Sequence, residues 1–564
     1  MNIIIFTLSY FLIAVSVIGY GLLFKSFQNS QEKINFGFAG IYGLFILIIY
    51  SYLSSFFIAH SINHNTIIIV LGLLSFLLKI KKIFKFNKQR LLLFFLTFSI
   101  LYISAFAYKA NEDFPYYHFN YTMLLVEKPS MLGVGLFNHG FRTPSSLFYI
   151  NSLFFLPFIK FYSFHMAAVL FMGFANLILL QKLINFIKKN QCNFITYLSL
   201  LSFIFINIVF FRIAEHGTDR SAQILILIIV IEILTLINFF DISKYKKRFQ
   251  KILVLTGIVI SLKAFYVLYI VFIIYLIFFL YTKINVIKIF KENVPYIFLL
   301  TLLIILVLMI NLKNSACLLY PLKFTCITSL PWSFTNQELQ LMGIHYENWA
   351  KAGAGPGFRV ESPEIYIQNF NWVANWLKTY FAEKGINTLA GISSIAAIVF
   401  LTFYSKKKKI FEQRTYKILL LITFLLFLEW FWKHPTLRYG GFCLWALLIF
   451  IPISFFLEQY LHQKTRTRIV VLLLITILIF VGRNIKRISS EIKKYNYKPI
   501  MHTFYYVNND GKENYFSPNI QIEKLIVEFE TCKANDNMYS EQCISINKKV
   551  GIYYGKYFFN TKPL

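Results

Sequence analysis

The chain has 564 residues, of which 57% are hydrophobic and 14% are charged. A soluble protein of this length needs more polar residues to cover its surface, so the composition excludes an ordinary soluble fold and indicates that lipid is the solvent. The net charge of +31 does not indicate a nucleic-acid partner. The basic residues stand in short runs between apolar stretches, as in membrane proteins with positively charged cytoplasmic loops.

Apolar stretches of about 20 residues predict membrane-spanning helices, and the sequence contains about fourteen of them. The stretch 252–281 is too long for one helix and short for two, and Lys263 stands at its middle. A further apolar piece, 146–161, predicts a helix lying in or against the membrane interface. The candidate spans are 2–24, 36–59, 64–80, 91–107, 164–186, 194–211, 221–240, 252–262, 264–281, 295–311, 386–404, 416–432, 437–457 and 468–482.

The basic loops predict the orientation of these spans. With the stated boundaries every basic run falls on one side, which the positive-inside rule makes cytoplasmic. The runs lie at 79–90, 182–189, 244–251, 283–291, 406–414 and 464–468. The opposite, outer side then receives residues 108–146, 212–220, 312–385, 433–436 and the tail 483–564.

Cysteine placement provides an independent check on this topology. Four of the six cysteines fall in the outer segments as two close pairs, Cys317 with Cys326 and Cys532 with Cys543. Paired cysteines are typical of an oxidising compartment, and unpaired thiols are the alternative.

The first outer loop, 108–146, carries the adjacent carboxylates Glu112 and Asp113 just past the end of a span. Such a pair suits a general base, or a ligand for a divalent cation such as Mg²⁺ or Mn²⁺. The alternative is a solvated helix end with Asp113 in a turn. His139 and Arg142 of the same loop are candidate substrate-binding residues.

The short outer loop 212–220 is dense in charge. Arg212 and Arg220 suit a phosphate, or Glu215 and Asp219 neutralise them instead, because charges near lipid face a cavity or a partner. The candidate substrate-binding residues of this loop are His216, Asp219 and Arg220.

Two further cations stand at the ends of predicted spans. Arg438 either extends to lipid headgroups or holds the phosphate of a lipid-linked substrate, since a guanidinium matches phosphate geometry. If 252–281 forms two half-length helices, Lys263 lies at the turn between them on the outer side and faces the same cavity as Arg438. Both residues are therefore candidate substrate-binding groups.

Several of these features carry a resemblance to a known family. The acidic pair, the Tyr320-Pro321 to Trp332 region, the Pro435-Thr-Leu-Arg438-Tyr439 turn and the two-cysteine tail resemble a group of poorly characterised bacterial membrane proteins. These in turn look like the GT-C class of glycosyltransferases. We otherwise expect Tyr320, Pro321 and Trp332 to serve in packing.

The composition and the basic loops predict an all-α polytopic protein of the bacterial inner membrane with its large loops and tail on the periplasmic side, and the resemblance implies a GT-C-like core within it. Its acidic loop follows about four spans, so the GT-C-like core would begin near residue 91, with three extra helices before it. The implied division is 1–90 for extra transmembrane helices, 91–311 for the GT-C-like core, 312–385 for a large outer loop, 386–482 for C-terminal transmembrane helices and 483–564 for a small outer tail of mixed structure.

The resemblance also implies a reaction, the transfer of a sugar from a polyprenyl-phosphate-linked donor to a cell-envelope glycan or lipid acceptor. Asp113 or Glu112 would serve as base or bind a metal, and Arg438, Arg220 or Lys263 would stabilise the phosphate. One alternative is an O-antigen-type polymerase or ligase of lipid-linked polysaccharide, which relies on Arg and His. A transporter of lipid-linked glycans would show repeated halves and charges at span centres, and a structural scaffold would need no site.

Overall fold

The computed structural model describes residues 2–26, 35–107, 113–189, 192–215, 217–354, 360–406, 415–460, 465–501, 517–534 and 540–560. Within these ranges the fold is almost entirely helical, with one two-stranded hairpin near the end. The helices are α1 Ile3–Ser26, α2 Phe36–Ser55, α3 Ile62–Leu77, α4 Ile80–Tyr102, α5 Phe119–Glu127, α6 Ser146–Leu153, α7 Met166–Lys189, α8 Phe194–Val209, α9 Gly217–Asn238, α10 Tyr245–Leu262, α11 Val271–Tyr281, α12 Val286–Ser315, α13 Asn336–Lys351, α14 Pro363–Tyr366, α15 Val373–Trp376, α16 Ile386–Phe403, α17 Lys417–Lys433, α18 Gly441–Glu458, α19 Thr465–Tyr495, α20 Ser517–Ala534 and α21 Glu541–Lys549.

A helix lies over each predicted span, and the protein is an all-α polytopic membrane protein. In the described part of the chain, ten helical stretches are long and apolar enough to cross a membrane, and α3 and α8 are shorter apolar helices. The count of about fourteen spans stays a prediction. Two other predicted spans are not among these ten stretches. Helix α10 begins with basic residues, and α17 has only 17 residues.

Two ambiguous stretches of the sequence have clear structures. The helix predicted over 146–161 is shorter, since α6 ends at Leu153, and all of α6 is buried by protein. In the 252–281 stretch α10 ends at Leu262, Lys263 is extended, and a 3₁₀ segment, Ala264–Ile270, leads into α11. This stretch is therefore two helices joined at Lys263.

The first two helices pack closely because small residues face each other. A Cβ atom on Gly21 would lie 1.7 Å from the carbonyl oxygen of Ala39, and one on Gly43 would lie 1.8 Å from that of Val17. Small residues let helix backbones approach in lipid, where dispersion drives association. Helix α2 also packs against α7, α10 and α12. The N-terminal helices therefore form one bundle with the helices that follow residue 91.

The outer segments predicted from the sequence lie together at one end of this bundle. The tail hairpin pairs β1, Val550–Tyr553, with β2, Lys556–Phe559, in antiparallel register. Leu132 of the first outer loop donates to the carbonyl of Tyr557 at 2.9 Å and accepts from Phe559 at 3.1 Å. Trp332 of the 312–385 segment is buried between them, 6.4 Å from the ring of Phe558.

Two disulfides stabilise these outer segments. Cys317 is bonded to Cys326 in the 312–385 segment, and Cys532 to Cys543 between the tail helices α20 and α21. Each bond closes a short loop and restricts the unfolded chain there. Together with the hairpin, these segments form a cross-linked cap at the end of the bundle that is predicted to be outer.

Candidate functional site

The short loop 434–440, between α17 and α18, is fixed by two tryptophan side chains. The indole of Trp376 donates to the carbonyl of Pro435 at 2.7 Å, and the indole of Trp430 donates to that of Thr436 at 2.8 Å. Both indoles are buried, so these hydrogen bonds are made away from water and fix the backbone strongly.

A glutamine from α9 holds the same loop from the inside of the bundle. Gln223 donates to the carbonyls of Leu437 at 3.3 Å and Arg438 at 3.0 Å, and accepts from the backbone N–H of Cys443 at 3.0 Å. The N–H of Leu437 donates to the hydroxyl of Tyr380 at 2.8 Å. The backbone on both sides of Arg438 is therefore held in place independently of the contacts of its side chain.

The guanidinium of Arg438 joins two carboxylates. Its Nη2 donates to Oδ2 of Asp113 at 2.8 Å, and its Nε donates to Oδ2 of Asp219 at 2.9 Å. Nζ of Lys263 donates to the other oxygen of Asp219 at 2.6 Å. We call Asp113, Asp219, Lys263 and Arg438 the outer charge cluster. Gly440, at φ +110°, turns the chain into α18 just beyond it, where a side chain would be strained.

Each member of the outer charge cluster stands at the end of a helical element. Asp219 lies in the first turn of α9, where the helix dipole favours a negative charge. Lys263 follows the last residue of α10 in extended conformation, at φ −159°. Asp113 precedes a single π-helical turn, Phe114–His118. The cluster thus forms where the start of α9, the end of α10 and the start of the π-helical turn lie close together.

The ion pair between Asp113 and Arg438 is partly buried, with 25% and 27% of the two side chains exposed. Burial raises the pKa of Asp113, but Arg438, with smaller effects from His118 and Lys263, lowers it by more, so its net pKa is below the ordinary value. Burial lowers the pKa of Arg438, whereas Asp219 and Asp113 help raise it to well above its ordinary value. Both groups are therefore ionised at neutral pH.

His118 is a second titratable group beside the cluster. Burial lowers its pKa to about 4, against the opposing effect of Asp113. Its ring lies 4.8 Å from that of Phe148 and 4.4 Å from that of Tyr117, and the buried Nε2 makes no hydrogen bond with any described residue. The imidazole is therefore neutral at neutral pH and can accept or donate a hydrogen bond in this position.

Aromatic rings form one wall of the outer charge cluster. Nζ of Lys263 lies 4.6 Å from the ring centre of Tyr439, and the guanidinium carbon of Arg438 lies 5.5 Å from that of Trp349. The two rings are 5.9 Å apart. Trp349 comes from α13, so the 312–385 segment contributes directly to the site. Rings around a few fixed polar groups are typical of small-molecule sites.

The two candidates from the first outer loop are held beside the cluster, not in it. His139 is exposed, and its Nδ1 lies 3.3 Å from the hydroxyl of Tyr116. Arg142 donates to the carbonyl of Gly135 at 3.0 Å and to the hydroxyl of Tyr320 at 2.5 Å. Arg142 therefore attaches the first outer loop to the disulfide-bonded segment.

The 212–220 loop is divided between two networks. Asp219 joins the outer charge cluster, whereas Nη1 of Arg220 donates to the carbonyl of Arg212 at 3.2 Å. Glu215 is paired with Arg212 and lies 3.5 Å from Arg487 of α19. The structure thus shows Glu215 neutralising cations, which is the alternative that the sequence left open, and does not bring Arg220 into ion-pair contact with the cluster.

Three residues in or beside the site are not predicted by the sequence patterns described above. Gln223 had a usable signal, because it follows Asp219 by four residues and so lies on the same face of α9. Trp349 had no such signal, since nothing in the sequence brings α13 over Arg438. Arg487 was missed because the last span was predicted to end at 482, whereas α19 continues to Tyr495.

Glu112 and His216, two of the predicted site residues, lie outside the described residues. Among the described residues, no group of three or more His, Cys, Asp or Glu side chains converges to hold a metal ion. The guanidinium of Arg438 lies between Asp113 and Asp219. This cation would repel a divalent metal ion bound between the two carboxylates. The described donors alone therefore do not form a metal site, and the Mg²⁺ or Mn²⁺ site that includes Glu112 stays a prediction.

Comparison with known proteins identifies a family but no activity. No curated protein and no solved structure matches this chain. One family matches residues 1–445, a range that contains all four members of the outer charge cluster and excludes the tail with its disulfide and hairpin. The chain belongs to this family, which is described as a domain of unknown function, DUF8201.

Proposed function

We propose that the protein transfers a sugar from a polyprenyl-phosphate-linked donor to a cell-envelope glycan or lipid acceptor at the outer face of the membrane. The observation that carries the proposal is the guanidinium of Arg438 between Asp113 and Asp219, with Lys263 on the far oxygen of Asp219. In this arrangement a carboxylate that could serve as the base lies next to two cations. These groups are needed to deprotonate an acceptor and to neutralise a leaving phosphate.

The proposed reaction is a displacement at the anomeric carbon of the donor sugar. The acceptor hydroxyl oxygen bonds to this carbon, and the bond from the carbon to the phosphate oxygen breaks. The hydroxyl proton passes to the carboxylate of Asp113, and the electron pair of the broken bond stays on the polyprenyl phosphate. Arg438 and Lys263 stabilise the charge that develops there.

Donor binding would also activate the base. While Asp113 is paired with Arg438, its lowered pKa makes it a weak base. A donor phosphate competes with Asp113 for the N–H groups of the guanidinium, because phosphate oxygens match this fork. As Arg438 turns to the phosphate, the pKa of Asp113 rises toward its ordinary value. Asp219 keeps both cations in place during the exchange.

The aromatic wall supports a sugar as the transferred group. Tyr439 and Trp349 present ring faces beside the cations, and Tyr117 lies near them with its hydroxyl under the electrostatic influence of Asp113 and Arg438. A sugar has apolar C–H faces and polar edges, so it suits a site that combines rings with a few fixed charges.

The test is envelope glycan analysis of a deletion strain that carries the wild type, Asp113→Asn or Asp241→Asn. Asp241 is the matched control, because it is also paired with a lysine, Lys244, but lies just past the other end of α9. We expect the deletion to alter a glycan, and the wild type and Asp241→Asn to restore it. Asp113→Asn should leave the glycan altered although the protein is present in the membrane at the wild-type level.

A polymerase or ligase of lipid-linked polysaccharide is the second candidate, favoured by one observation. Asp113 and Asp219 are both occupied as counter-ions, while His139 is exposed and lies beside Tyr116. In this case the carboxylates only hold Arg438 in place. Full restoration by Asp113→Asn, together with failure of Arg438→Ala, would favour this candidate and contradict the carboxylate base.

A further inference from the structure

A charged cavity of about 270 Å³ lies at the end of the bundle opposite to the outer charge cluster, the end predicted to be cytoplasmic. It opens between α1, α2, α4, α7, α9 and α10, and Glu232 is the one carboxylate among its described lining residues. Its basic lining residues are Lys25, Arg90, Lys182, Lys247, Arg248 and Lys251. The lining therefore carries a large excess of positive charge.

This basic cavity is separate from the outer charge cluster. Asp219 and Glu232 stand on the same helix, α9, and the rise of an α-helix puts them about 20 Å apart. Lys182 is paired with Glu232 at 2.6 Å, so one of the cations is neutralised inside the lining. Arg248 donates to the carbonyls of Thr235 at 2.9 Å and Phe239 at 2.8 Å, at the end of α9.

The positive-inside rule does not explain this arrangement. That rule needs basic residues in cytoplasmic loops, where they face water or lipid headgroups. Here the six basic residues come from four helices and are all partly buried around one cavity, whereas Lys246 on α10 is exposed. Cations that converge in a partly desolvated space repel one another and favour a bound anion.

The cavity also offers neutral hydrogen-bond donors. Its lining includes the side chains of Asn35, Tyr42, Gln181, Asn185 and Gln250. Its volume suits a phosphate or diphosphate group and is below that of most drug-sized sites. Basic pockets between transmembrane helices on the cytoplasmic side are a recognised way of binding phosphate-bearing lipid headgroups.

We propose that this cavity binds a phosphate-bearing anion, which the cations of α1, α4, α7 and α10 recognise by charge. The anion comes either from the headgroup of an anionic phospholipid or from a soluble phosphate compound. The site is independent of the proposed sugar transfer, since no residue of the outer charge cluster lines it.

The experiment compares Lys247→Gln/Lys251→Gln with Lys246→Gln, which removes an exposed charge from the same helix. One arm measures the thermal stability of the purified full chain in nanodiscs of phosphatidylcholine with increasing phosphatidylglycerol. The other arm titrates the protein in neutral detergent with inorganic pyrophosphate. We expect one of the anions to stabilise the wild type and Lys246→Gln equally. The double variant should bind that anion more weakly by about fivefold for each lysine removed.

The outcomes distinguish the two sources and the failure of the proposal. Stabilisation by phosphatidylglycerol alone identifies a lipid headgroup, and stabilisation by pyrophosphate identifies a soluble ligand. The absence of both effects, or an equal loss in Lys246→Gln, overturns the proposal. If the double variant does not fold, the salt dependence of anion binding to the wild type is the test. Binding by charge must weaken steeply as salt is raised to about 1 M. Stabilisation that is unchanged at high salt would also overturn it.

Discussion

Arg438 donates to Asp113 at 2.8 Å across 325 residues of the sequence. The contact joins the first outer loop to the loop before α18, and the same guanidinium holds Asp219 of α9. Exposed ion pairs contribute little to stability, but this cation is shared by two carboxylates in a partly buried site. The removal of Arg438 therefore takes a counter-ion from both carboxylates at once.

Arg438→Lys separates charge from geometry at this contact. The lysine keeps the positive charge, but one ammonium group cannot occupy the two separate positions from which Nε and Nη2 bond Asp219 and Asp113. We expect a loss of about 1 kcal/mol in the free energy of unfolding, against about 3 kcal/mol for Arg438→Ala. We also expect Arg438→Lys to fail to restore the glycan, since the loss of one fixed donor lowers a rate about 100-fold. Unfolding in detergent and glycan analysis measure the two effects; restoration by Arg438→Lys would show that charge alone suffices.

Gln223→Leu tests whether the loop that carries Arg438 must be held from α9. The substitution keeps the size of the side chain but removes its hydrogen bonds to the 437–443 region, with an expected loss of about 2 kcal/mol of stability. Arg438 should shift, so activity should fall more than stability predicts. Thr423→Val is the control, because the buried hydroxyl of Thr423 bonds within its own helix, to Leu419 at 2.8 Å. Equal activity in the two variants would contradict a positioning role for Gln223.

Asp113→Asn should alter how stability depends on pH. The pKa of Asp113 is lower in the folded protein than its ordinary value near 4. The ion pair therefore contributes stability that is fully present above about pH 4 and is lost as the pH falls through the folded pKa. We expect the wild type to exceed Asp113→Asn by about 2 kcal/mol at pH 7, with the difference shrinking below pH 4. A difference that stays constant down to pH 3 would mean that Asp113 is not the titrating partner.

The orientation of the bundle can be tested by cysteine labelling in intact cells. Phe324 is 86% exposed and lies in the disulfide-bonded outer segment, whereas Lys246 is exposed on α10 at the other end. Phe324→Cys should react with a membrane-impermeant maleimide in intact cells, and Lys246→Cys only after the membrane is opened. The wild-type protein is the control for background labelling of the native cysteines. Labelling of Lys246→Cys alone in intact cells would reverse the predicted topology.

The helices of this fold could be predicted because lipid requires long apolar runs, and such runs are visible in the sequence. The break at Lys263 was also visible, because a cation in the middle of an apolar stretch favours a helix end. The length of α19 was not, because Arg483 and Lys486 resemble a loop that follows a span. In the structure α19 continues past them, and Arg487 is buried next to Glu215.

The contacts of the site could be predicted only in part. Asp219, Lys263 and Arg438 were each suspected as charges at span ends, but which charges pair depends on how the helices are rotated about their axes. A periodic apolar pattern does not determine this rotation when most faces of a helix are apolar. The position of Trp349 beside Arg438 depends on how the outer segment folds back over the bundle, which no local pattern encodes.

The pairing of the tail hairpin with the first outer loop has a consequence for biosynthesis. Lys556 donates to the carbonyl of Phe56 at 2.6 Å, 500 residues earlier in the chain, and its strand supplies the partners of Leu132. In the predicted orientation, the early outer segments are made and cross the membrane first, and they wait there while every later helix is inserted. In this orientation the cap is completed only after residues 550–559 have also been translocated. A copy truncated before them would insert its helices yet present an unfinished outer surface, which proteases of that compartment can recognise.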